Sequence, residues 1–201
     1  MTKGYIAALE REAYRHRFGG SSWKVSDPNK VDDGPALVLV LDLADSRLKF
    51  LEMGSAGELP LVSYLNNSIW WKRQTYRIGN GEVVLVERSV TTPESLEPEY
   101  WTANPLPERP LSLRPPRREE DPDLVGMHDA ANTLFGPAFI RIGGTPVWTQ
   151  FPEEVNCTCG RAMVYAATIG YYRDVFFIGE GALYFFVCAP CTKQTVLMQS
   201  S

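Results

Sequence analysis

The chain has 201 residues, enough to bury a sizeable core as one large domain or two small ones. Hydrophobic residues make up 44% and charged residues 22%, the balance of an ordinary globular protein rather than a disordered or membrane one. A net charge of −4 gives no support to nucleic-acid binding, which needs a basic face. The start, Met-Thr-Lys-Gly-Tyr, has no apolar signal core and no run reaches the length of a membrane span, so a reducing, cytoplasmic setting is expected.

Residues 4–18 predict a helix: Ile6, Leu9 and Ala13 recur at helical spacing, and Gly19-Gly20 ends the run. Arg11 and Arg15 give it a basic tilt that could meet a partner, although a solvated face of a packing helix explains it as well. From Gly34 the pattern turns to strands, at 36–43, 47–53, 61–64, 69–71, 75–78 and 83–88. Asn80-Gly81 predicts a two-residue hairpin turn between the last two. Residues 90–123 hold eight prolines and the charged run Arg117-Arg118-Glu119-Glu120-Asp121, which predicts an irregular arm or linker without strand or helix. A short helix is expected at 127–134, and strands at 138–142, 163–169, 175–178, 183–187 and 195–199.

The two strand-rich stretches share landmarks in the same order. Gly34-Pro35-Ala36 is echoed by Gly136-Pro137-Ala138, Leu59-Pro60 by Thr145-Pro146, and Ile78-Gly79-Asn80-Gly81 by Ile178-Gly179-Glu180-Gly181. The expected fold is α+β and β-rich, mostly antiparallel, with an N-terminal helix and two degenerate β repeats. The expected organisation is 1–90 as helix plus first repeat, 91–123 as arm, and 124–201 as second repeat. Recurrence of Gly-Pro and hairpin dipeptides in any β-rich chain is the plain alternative to a repeat.

All four cysteines form two tight pairs, Cys157-Thr158-Cys159 and Cys188-Ala189-Pro190-Cys191. Thiolates one or two residues apart can turn their sulfurs to one point, so the two pairs can surround a tetrahedral Zn²⁺. Four protein ligands would leave no position for water, which makes such an ion structural rather than catalytic. Reduced buried thiols and disulfides are the other readings of the same four residues; a reducing compartment favours metal over disulfide.

Other chemistry is thin. His16 and His128 lie in unrelated contexts with no nucleophilic triad pattern, although Asp129 adjoins His128. Gly143-Gly144 follows a strand as a phosphate cradle would, but Thr145-Pro146 stands where a helix should begin, and no GxGxxG or Walker pattern is present. Aromatic residues are numerous, and most suit a β core. Tyr100 and Trp101 in the arm, with Trp148, are the candidate partner contacts.

Three segments together resemble a known family. They are Ile142-Gly143-Gly144-Thr145-Pro146-Val147-Trp148-Thr149-Gln150, Cys157-Thr158-Cys159-Gly160-Arg161-Ala162-Met163, and Gly181-Ala182-Leu183-Tyr184-Phe185-Phe186-Val187-Cys188-Ala189-Pro190-Cys191. They resemble the YwqG-like proteins of bacteria and, more distantly, the programmed-cell-death-two proteins, over about residues 136–199. The first cysteine pair is one residue shorter than the family pattern. The resemblance implies a β-rich protein with a cysteine metal knuckle and no known reaction. It also implies a place among toxin-neutralising immunity proteins or client-specific chaperones. The expectation is therefore a non-enzymatic protein-binding module with structural zinc, its partner a toxin or client protein, not nucleic acid or membrane. The competing expectation is an enzyme whose site is assembled from dispersed acidic residues.

Overall fold

A computed structural model of the protein describes residues 3–28, 33–66, 73–89, 97, 101–127, 138–172 and 181–200. The expected strands at 69–71 and 175–178 lie outside these residues, as does the expected helix at 127–134 beyond its first residue.

The apolar runs form strands where expected: β4 Ala36–Asp42, β5 Glu58–Ser63, β6 Gln74–Gly79, β7 Glu82–Arg88, β10 Ala138–Ile142, β11 Val164–Tyr172, β12 Gly181–Cys188 and β13 Lys193–Ser200. Strands β6 and β7 meet in a hairpin closed by Gly79 opposite Glu82, with Asn80 and Gly81 at positive φ in its two-residue turn. Short strands complete the set: β1 Tyr5–Ala8, β2 Arg17–Phe18, β3 Lys24–Ser26, β8 Arg109–Pro110 and β9 Ser112–Arg114.

Two sheets result. Nine strands run in the order β3-β7-β6-β13-β12-β11-β10-β1-β9, and four in the order β5-β4-β2-β8. Pairing is antiparallel throughout except for β3 with β7, which is parallel. Side chains from both sheets, among them Phe18, Leu39, Leu61, Ile140, Phe185 and Val196, share one core. Strands from all three stretches of the chain meet in the nine-stranded sheet. Strands β10 to β13 are consecutive neighbours there, whereas β4–β5 and β6–β7 are divided between the sheets, so the strand order does not display the internal repeat.

Three expectations need correction. Residues 4–18 are not a helix. Ile6 and Ala7 are buried in β1, which pairs with both β9 and β10, while Leu9 is 42% exposed, so the helical stripe is unused. Sheet pairing outweighs a weak local propensity. Residues 47–53 are not a strand. Ser46–Leu51 is a 3-10 turn capped by the Asp45 side chain, and Leu48 and Leu51 are buried three residues apart, the period of that helix. The proline-rich arm is not devoid of regular structure. Strand β8 lies at the edge of the four-stranded sheet and β9 at the edge of the other, where a proline costs no ladder bond. Between them sits buried Leu111, whose N–H donates to the His16 carbonyl. A short helix, α1 Pro122–Val125, follows and is capped by Asp121.

Side-chain amides join the parts. The Gln194 amide on β13 accepts from Val62 N–H (3.1 Å) and donates to Val62 C=O (2.6 Å), so one side chain acts as a strand edge for β5. Gln74 accepts from Tyr64 N–H in the same way, and Asn66 holds both backbone groups of Thr102 in the arm.

Gln194→Leu would leave a buried N–H and C=O without partners, each unmet group costing about 1–3 kcal/mol. The expected loss is about 2–6 kcal/mol of unfolding free energy in urea denaturation; an unchanged midpoint would contradict this role.

Candidate metal centre

Two tight turns carry the four cysteines. The second is simpler to derive, because β12 and β13 form a hairpin whose last pair is Cys188 opposite Lys193. Its loop is a 3-10 turn, Ala189–Cys191, that ends on Thr192 at φ 47. Pro190 suits the start of such a turn, since its fixed φ and missing N–H cost nothing there. Cys188 thus ends a strand and Cys191 the turn after it.

The first turn lies in the segment that crosses from Trp148 to β11. Asn156 bridges Ala162, the Cys157 N–H donates to Arg161 C=O at 2.9 Å, and the Gly160 N–H donates to Cys157 C=O at 2.8 Å. Gly160 has φ +82, a backbone that side-chain-bearing residues rarely adopt. That glycine lets a Cys-x-Cys pair reverse direction within four residues. Lys193 then ties the two turns together through a 2.9 Å hydrogen bond to Thr158 Oγ1.

The four sulfurs all lie within 4.8 Å of one another, and Cys159 Sγ and Cys188 Sγ are 3.8 Å apart. Ligands about 2.3 Å from a tetrahedral centre stand about 3.8 Å apart, so the Cys159–Cys188 separation matches one edge of a Zn–S₄ site and the cluster is small enough to hold one. All four are free thiols. Cys157 and Cys188 are buried, while Cys159 is exposed, so the cage lies at the margin of the core.

Four thiols this close compete for their protons. At Cys157, burial works to raise the thiol, but hydrogen bonds from the Cys159 backbone and from the neighbouring sulfurs prevail and bring it down to about 7. Hydrogen bonding with Cys159, then with Cys157 and Cys188, pushes Cys191 up to about 12. Burial likewise raises Cys188. Cys157 is thus eased toward its thiolate while Cys188 and Cys191 hold their protons more tightly, and a divalent cation would favour the thiolate form of its ligands.

The cage closes a second core on the far face of β12. Tyr184 and Phe186 pack with Trp148, Val155, Met163, Tyr165 and Leu197, and with Cys157 and Cys188 themselves. The Trp148 ring stacks on Tyr184 with centroids 4.6 Å apart. The Tyr184 hydroxyl donates to Val147 C=O at 2.8 Å and accepts from Thr149 N–H at 2.9 Å; burial pushes this phenol up to about 12. Gln199 accepts from Gln150 N–H and donates to Phe151 C=O. The segment leading into the first turn is therefore clamped at several backbone atoms.

The candidate partner contacts fare differently. Trp148 is 7% exposed and belongs to this second core, so its ring is taken up by packing. Trp101 is 51% exposed, and Tyr100 lies outside the described residues. Phe151, one of the numerous aromatics that the sequence does not single out as a contact, is 80% exposed although its backbone is held by Gln199. No periodic pattern marks such a residue; only the position just before the cysteine turn could have drawn notice.

A second grouping, Glu12, His16 and Asp45, also gathers potential ligands. His16 is fully buried, and its Nδ1 accepts from the Asp42 N–H at 3.0 Å, so Nε2 carries the proton that Asp45 accepts at 3.0 Å. Neither ring nitrogen has a lone pair to offer. Asp45 and Glu12 are also engaged by Arg47 at 2.6 and 2.7 Å. Burial opposes the Asp45 charge, but hydrogen bonds from Arg47 and His16 outweigh it and hold the carboxyl below its usual range. This is a structural lock, with no proton free for acid–base work. Gly143-Gly144, the superficial phosphate cradle, instead makes room for the Phe50 ring and the Arg141 guanidinium.

Because protons and metal compete for the same sulfurs, apparent zinc affinity should fall steeply from about pH 8 to about pH 6. A competition titration with a chromogenic chelator reads this, and an affinity independent of pH would contradict thiolate ligation. Comparison with protein-family models, curated proteins and solved structures finds no match for the chain.

Proposed function

We propose that the chain is a protein-binding module whose C-terminal sheet is completed by a structural zinc ion held by Cys157, Cys159, Cys188 and Cys191. The observation that carries the metal is the meeting of four sulfurs within 4.8 Å on two separate turns. Soft thiolate donors in a tetrahedral set select zinc over hard cations. With four protein ligands the ion holds the fold and activates no water.

Binding, rather than catalysis, is supported by two exposed aromatic rings. Phe151 projects from a backbone clamped by Gln199, so it is an aromatic anchor already held in place. Trp101 offers a further exposed ring. The three motifs that resemble the YwqG-like proteins point to an immunity protein or client-specific chaperone as the kind of module. The buried His16 lock counts against an enzyme built on that grouping. Among the described residues no helix is long and apolar enough to cross a membrane.

Metal analysis of purified protein should give one equivalent of zinc, lost in Cys188→Ser together with roughly 10 °C or more of thermal stability. That shift follows from ~2–4 °C per kcal/mol for a chain of this size and a loss of several kcal/mol. A metal-free protein of unchanged stability would refute the site. For the binding role, a pull-down from the native cell should retain one stoichiometric protein that Phe151→Asp releases. Retention of nothing, or equal retention by the variant, would count against it.

A further inference from the structure

The residues expected to form a helix instead line a cleft in the other sheet. Residues 11–17 run irregularly into β2 and, with Ser22, Glu108 and Pro110, line an open cleft of about 550 Å³. That volume is in the range of small-molecule sites, about 300–1,000 Å³, and far exceeds a bare inorganic ion.

Charge is unbalanced inside it. Three arginines, Arg11, Arg15 and Arg17, line the cleft against two carboxylates, Glu12 and Glu108. Both carboxylates have cations of their own: Glu12 meets Arg47 at 2.7 Å, and Glu108 stands 4.0 Å from Arg17. Arg17 is further committed to Glu58 at 2.9 Å. The Arg11 and Arg15 guanidiniums are exposed, and neither has a carboxylate within ion-pair distance among the described residues. Two arginines without a carboxylate partner among the described residues thus line one cleft in a chain whose net charge is −4.

The wall beneath them is rigid. The Arg47 guanidinium lies 5.4 Å from the centroid of the Tyr14 ring and is itself fixed by Asp45, Glu12 and the Leu113 carbonyl. His16 beside it has both nitrogens engaged. Ordering this wall on binding therefore costs little, and Tyr14 gives the cleft a flat apolar side.

We propose that this cleft binds a small organic oxyanion, its phosphate or carboxylate group gripped by Arg11 and Arg15 and its body lying along Tyr14. Guanidinium forks match both kinds of oxyanion, so the shared chemistry is a planar donor pair meeting paired acceptor oxygens. The site lies in the four-stranded sheet and shares no residue with the cysteine cage, so its failure would leave the metal reading untouched.

Isothermal titration of the full chain at constant ionic strength tests it, with inorganic phosphate and citrate as separate probes. Saturable binding of at least one probe is expected, weakened tenfold or more in Arg11→Glu/Arg15→Glu, whose exposed side chains can be changed without loss of fold. Preference for phosphate would assign a phosphoryl ligand, and preference for citrate a carboxylate. Absence of saturable heat with both probes, or equal affinity in the variant, would overturn the proposal.

Discussion

Strand β12 is buried along its entire length, on both faces. Leu183, Phe185 and Val187 point into the core between the sheets, while Ala182, Tyr184, Phe186 and Cys188 point the other way into a second core. Each face needs a cover, because a large apolar side chain left in water forfeits about 1.5–3 kcal/mol of burial. The first cover is a sheet, with a hydrogen-bonded ladder of its own. The second is the crossing segment from Trp148 to Met163, which has one isolated bridge and little regular structure. A cover of that kind cannot hold itself in place, and the cysteine cage at its far end, with the clamps from Tyr184 and Gln199, does it instead. An ion bound there, as proposed, would supply what a further pair of strands would otherwise supply.

A second device recurs across the molecule. Gln194, Gln74, Asn66 and Gln199 each offer an amide to backbone groups on another segment. A carboxamide carries a donor and an acceptor in the spacing of a peptide group, so it can stand in for an absent strand neighbour. Gln194 does so where β5 leaves the four-stranded sheet without a partner on its outer edge, and Asn66 where the proline-rich arm docks. The contacts of Gln194, Gln74 and Asn66 are buried and that of Gln199 partly so, and the net value of the buried ones lies in preventing orphaned backbone groups more than in the bonds themselves.

Legibility followed from the same physics. Runs such as 36–43 and 183–187 were readable as strands because they are apolar beyond what one face needs, and Asn80-Gly81 because its turn type demands those residues. The pairing of the cysteines is visible in their spacing, which leaves metal, reduced thiols and disulfides open; that all four sulfurs meet, with Gly160 making the short first pair workable, comes from the structure. Residues 4–18 misled because Ile6, Leu9 and Ala13 mimic a helical face while partners distant in sequence, β9 and β10, decide the conformation. Residues 47–53 misled because burial at intervals of three looks like imperfect alternation. Prolines hid β8 and β9, since edge strands tolerate what central ones cannot. The amide clamps and the His16 lock were beyond reach of any local pattern, each joining residues far apart in the chain.

The central claim is that the C-terminal half is held by an ion with a closed sulfur shell. X-ray absorption at the zinc edge of the purified protein tests it most directly. Four sulfur scatterers at about 2.3 Å and no nitrogen or oxygen in the first shell are predicted. A mixed shell with a water-like oxygen, or zinc bound without sulfur, would contradict it.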